Sequence, residues 1–87
     1  MIRYQDSLLF DIIDERDRQD SKWGEQNHSI LQWFSIIDEE RGEMSKAWNE
    51  YTFDNHPAHI QELKTEAIQT CACIVAILES MERNNTY

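Results

Sequence analysis

A chain of 87 residues has room for one domain, and at this size folding hides only about 60–65% of the surface the unfolded chain exposes, so help from a second subunit is expected. A hydrophobic share of 40% with 10% aromatics excludes a disordered acidic tail. The balance of 8 Lys and Arg against 17 Asp and Glu leaves a formal charge of −9, the wrong sign for neutralising nucleic-acid phosphates, which excludes direct duplex binding as a source of affinity.

The segment from about Tyr4 to Gln19 carries Leu8, Leu9, Ile12 and Ile13 at helical spacing between charged residues and is predicted to be an amphipathic helix. Lys22 to His28 breaks the period and reads as a loop. Ser29 is the expected N-cap of a second helix to about Tyr51, with Trp33, Ile36, Ile37, Met44, Ala47 and Trp48 on its apolar stripe. Thr52 to His56 is a second connection. Pro57 then suits the first turn of a third helix running to about Arg83, because its missing N–H costs nothing there. The run from Ala67 to Leu78 is apolar nearly all round, more than a three-helix monomer needs. The expected fold is all-α: one domain over residues 1–87, three main helices, and a bundle completed by oligomerisation into a homodimer or tetramer.

Cys71 and Cys73 point to different sides of a helix and suit neither a disulfide nor a zinc knuckle. Met1 to Asp6 lacks a signal-peptide pattern, and no apolar stretch approaches the roughly 20 residues of a membrane span, so a reducing cytoplasm and no membrane partner are expected.

Within Asp38-Glu39-Glu40-Arg41-Gly42-Glu43, residues Glu40 and Glu43 are three apart and share a helix face. Carboxylates held that close repel, and hard oxygen donors of this kind are what Mg²⁺ or Mn²⁺ prefers. A solvated acidic face balanced by Arg41 and Lys46 accounts for the same spacing. On the third helix Glu62, Glu66 and Gln69 form a second polar strip, in which Gln69 requires hydrogen-bond partners from a facing site or from a neighbouring helix.

Glu-Glu-x-x-Glu on one helix with Glu66-Ala67-Ile68-Gln69 on the next resembles the all-α nucleotide pyrophosphohydrolase superfamily, which includes MazG and the all-α dUTPases and dCTP pyrophosphatases. Where that pattern has Glu-x-x-Asp, this chain has Gln69 in place of the aspartate. The closer resemblance is to short MazG-like proteins of phages and bacteria. It rests on Glu15-Arg16-Asp17-Arg18-Gln19 and on Lys22-Trp23-Gly24-Glu25-Gln26-Asn27-His28, and spans about Asp14 to Arg83.

That resemblance implies Mg²⁺, or Mn²⁺, held by Glu40, Glu43 and Glu66, with Glu39 orienting a water and Gln69 at the fourth ligand position. The implied reaction releases pyrophosphate and a nucleoside monophosphate from a nucleoside triphosphate. Trp23 offers a stacking face for the base, and Asn27 and His28 offer hydrogen-bond selectivity, although an ordered structural loop explains the same residues. Lys22, Arg16, Arg18, Lys46 and Lys64 are candidates for phosphate contact or simple surface charges. Trp33 and Trp48 read as core or subunit-interface residues, and His56 and His59 as polar residues at a helix start. Two other functions stay open: a non-catalytic phage-type protein that sequesters a nucleotide or nucleotide signal or docks on a host protein, and a purely structural helical dimer.

Overall fold

A computed structural model describes residues 3–85; Met1, Ile2, Thr86 and Tyr87 of the expected domain lie outside the described residues. Three helices account for almost all of it: α1 (Tyr4–Trp23), α2 (Ile30–Phe53) and α3 (Pro57–Asn84). The first helix runs one turn further than its apolar period predicts, taking in Lys22 and Trp23, and stops at Gly24. Gly24 has φ 74°, ψ −173°, a region essentially reserved for glycine, and its N–H closes the last turn on the Asp20 carbonyl. Ser29 caps α2 through a reciprocal box, its hydroxyl accepting from the Gln32 N–H while the Gln32 side chain accepts from the Ser29 N–H. Pro57 stands at the first position of α3, and the His56 ring Nδ1 accepts from the Ala58 N–H.

The third helix packs against both others, whereas no Cα of α1 comes within 8 Å of a Cα of α2. The molecule is therefore an open three-helix arrangement with α3 as the floor of a cleft between α1 and α2. Small residues make up most of the buried core: Ala72, with no exposed surface, and Cys73 are buried on α3, and Ala47 and Trp33 on α2. That core is small. Helix α1 has no buried residue, and Leu8, Leu9, Phe10 and Ile13 stand exposed, as do Ile74, Val75 and Leu78 on α3. Trp33 is a core residue as its stripe predicts; Trp48, on the same stripe, is half exposed and stacks at an angle on Tyr51. Among the described residues no helix is long and apolar enough to cross a membrane.

Candidate functional site

A hollow of about 400 Å³ opens where α1 and α2 fail to meet. Arg16, Gln19, Asp20 and Trp23 line it from α1, Trp33, Ile36, Glu39 and Glu40 from α2, and Cys73, Ala76 and Arg83 from α3. The loop after α1 closes one end with Gly24, Gln26 and His28. Residues that the sequence places in an acidic helix and in a distant loop are thus brought to one cavity.

The carboxylate wall is strained electrostatically. Burial first, then the neighbouring charges of Glu66, Glu39, Glu43 and Glu15, pushes the Glu40 carboxyl above its ordinary value. Burial, followed by Glu43 and Glu62, does the same to Glu66. Glu40, Glu43 and Glu66 therefore lie within electrostatic reach of one another across the α2–α3 contact. Their oxygens do not form a closed ligand cage: among the described residues, the three-residue group with ligand atoms all within 4.8 Å is Glu50, His59 and Glu62, further along the same pair of helices.

Spacing does not mark Glu15 as a site residue, yet its charge reaches Glu40 from α1, while its carboxylate accepts from Arg18 and Gln19. Its place within Glu15-Arg16-x-Arg18-Gln19 is the available signal, since the packing that brings its charge within reach of Glu40 is tertiary. Arg16 is the cation that α1 brings to the hollow. Its side chain is only 12% exposed and donates to Glu79 at 2.7 Å, Gln19 at 3.2 Å and Asp20 at 2.8 Å, which uses three of the five guanidinium N–H groups.

The loop residues divide by role. The Asn27 side-chain carbonyl accepts from Arg83 Nε and Nη2 and from Asn84 Nδ2, Arg83 Nη2 also donates to the Gln26 carbonyl, and Glu25 pairs with Arg83. Asn27 thus ties the loop to the end of α3 and does not line the hollow. His28 lines it, with its ring edge against Trp33 at 4.7 Å between centroids. Trp23 stays 62% exposed at the rim, with the Lys22 ammonium over its ring, 4.8 Å from the centroid. The Trp33 indole N–H is buried without a hydrogen-bond partner. Lys22, Glu43, Glu66 and Gln69 are not among the residues lining it; Gln69 is half-buried on α3.

Cys73 is buried on the floor, where burial and then the Glu40 charge push its thiol up, making it a packing residue rather than a nucleophile. The chain matches no protein-family model, no curated protein and no solved structure.

Proposed function

We propose that this protein is a MazG-like, Mg²⁺-dependent nucleoside triphosphate pyrophosphohydrolase. The observation that carries the reading is the single hollow that joins Trp23 and His28, suited to a base, with Arg16, suited to phosphate, and with the Glu39–Glu40 end of the acidic helix. The donor set fits a hard cation: Glu40, Glu43 and Glu66 offer only oxygen, and the pKa values of Glu40 and Glu66, raised by burial and then by neighbouring carboxylates, mark a repulsion that a divalent ion relieves. Mg²⁺ keeps several waters of its own, so three carboxylates need not close into a tight cage.

In this reading Glu40, Glu43 and Glu66 hold the ion. When bound, it neutralises phosphate charge and lowers the pKa of a coordinated water. Arg16 donates its remaining N–H groups to phosphate oxygen, Trp23 stacks on the base, and the His28 ring gives the base or sugar a polar edge. Glu39, exposed at the mouth, orients the attacking water and takes its proton. The new bond joins water oxygen to the α-phosphorus, and the α–β bridging bond breaks, leaving a nucleoside monophosphate and pyrophosphate.

The exposed apolar faces of α1 and α3 support a homodimer or tetramer in which further copies of the chain cover Leu9, Ile74 and Leu78. Light scattering of the purified chain against Leu78→Asp tests this, and a monomer at micromolar concentration overturns it. A second reading, nucleotide sequestration without turnover, draws on Gln69, a neutral group where the resembled pattern has an anionic ligand. Incubation with a panel of canonical and modified triphosphates plus Mg²⁺ or Mn²⁺, reading pyrophosphate and binding in parallel, separates the two. Release that stops in Glu43→Gln supports hydrolysis, binding alone supports sequestration, and neither overturns both.

A further inference from the structure

A second set of donors lies at the corner where α2 turns into α3. Glu50 occupies the last turn of α2, His59 the first turn of α3 and Glu62 the next, and one ligand atom from each lies within 4.8 Å of the other two. The corner is tight because Asp54, Asn55 and His56 alone connect the helices, and His56 and Pro57 start α3 at once. Glu50 and His59, on opposite helices, are thereby placed face to face.

The histidine is the informative member. Its side chain is 24% exposed, and its Nδ1 is shut off from solvent with no hydrogen-bond partner. That nitrogen stands 3.7 Å from Glu50 Oε2, too far for a hydrogen bond. On the other side of the ring, Nε2 lies 3.4 Å from Asp54 Oδ2. An ionised carboxylate only accepts, so Asp54 assigns the ring proton to Nε2 and leaves Nδ1 as a lone pair directed into a space shared with two carboxylates. Three electron-pair donors that converge with nothing between them repel, and a cation reverses the sign of every pairwise term.

Spacing and donor type narrow the cation. Two donors on one transition ion with bonds of about 2.0–2.2 Å stand roughly 3–4 Å apart, a range that includes the 3.7 Å between Nδ1 and Oε2. Glu62 is exposed, and its ligand atom lies within 4.8 Å of the other two. An imidazole with two carboxylates suits Zn²⁺ and its neighbours rather than Mg²⁺ or Ca²⁺, which prefer oxygen alone. The carboxylate behind the imidazole is the outer partner that metal-bound histidines regularly carry.

We propose that Glu50, His59 and Glu62 form a Zn²⁺ site, oriented by Asp54, that clips the end of α2 to the start of α3. It is separate from the carboxylates of the cleft, whose donors are all oxygen.

The test is Zn²⁺ titration of the tag-free full-length chain by calorimetry, with a thermal melt in parallel. One Zn²⁺ per chain is expected, with a raised Tm, and Glu50→Gln or His59→Gln weakens binding at least about tenfold. Asp54→Asn weakens it less, and Glu40→Gln leaves it unchanged. Because His59→Gln risks disturbing the start of α3, nitrogen NMR of the unaltered chain provides a second readout: on adding Zn²⁺ the His59 Nδ1 resonance shifts and those of His28 and His56 do not. Absence of Zn²⁺ binding, binding indifferent to Glu50→Gln, or a silent His59 Nδ1 overturns the proposal. None of these outcomes depends on nucleotide hydrolysis with Mg²⁺.

Discussion

The carboxylate wall of the cleft and the α2–α3 corner lie on the same two helices yet handle negative charge in opposite ways. At the wall and just behind it, Glu40 and Glu66 lie within reach of other carboxylates and have their pKa values pushed up, first by burial and then by repulsion. In the corner an imidazole stands between Glu50 and Asp54, so those two carboxylates each have a ring nitrogen as a neighbour. The contrast teaches that acidic composition alone does not define a cation site. The kind of atom placed between the carboxylates decides which cation the site prefers.

The sharpest way to break this comparison is Glu40→Gln. It is expected to lower Mg²⁺-dependent pyrophosphate release by roughly a hundredfold or more while Zn²⁺ binding stays intact; equal losses in both assays would merge the two regions into one site. The converse variant, His59→Gln, is expected to remove Zn²⁺ binding and leave kcat/KM for hydrolysis within about twofold. Next in size is Trp23→Ala, which deletes an exposed stacking face. Nucleotide affinity should fall about tenfold, measured by titration, with a change in Tm no larger than a surface substitution produces.

The smallest expected effect concerns pH. A carboxyl whose folded pKa lies above its unfolded value of 4.5 binds more protons in the native state. It therefore contributes stability that is present below that value and is lost as the pH rises through the raised folded pKa. Thermal melts without divalent ions should accordingly show Glu40→Gln gaining on the parent chain as pH rises from about 4.5 toward neutrality, by ~2–4 °C since the group is largely solvated. Mg²⁺ should close that gap by stabilising the parent alone. A constant difference across the pH range would mean that Glu40 carries no repulsion worth relieving.

Local chemistry announced most of the fold. The Ser29 cap, the Pro57 start and the apolar periods of α2 and α3 act over three or four residues, and the helices begin where those signals place them. The end of α1 was less legible, because Lys22 and Trp23 continue the helix although they break its apolar period, and the stop comes from the backbone of Gly24. Site membership was legible only in part. Glu39, Glu40, Trp23 and His28 share a cavity, whereas Asn27 uses its side-chain carbonyl to fasten the loop to Arg83 and Asn84, 56 and 57 residues along the chain. Reading His59 as a polar helix-start residue overlooked Glu50 and Asp54, which approach it from the preceding helix and turn.

By itself the amino-acid order determined three helices, where two of them start, and an acidic strip on the second, because hydrogen bonds and side-chain periodicity within a helix are settled between neighbours. Tertiary structure alone decided that α1 and α2 stand apart over α3, that Arg16 turns into the resulting cleft, and that an unpartnered imidazole nitrogen meets two carboxylates at the corner. Those outcomes depend on how closely small residues such as Ala47 and Ala72 let whole helices approach, a property of paired surfaces that no single stretch of chain contains.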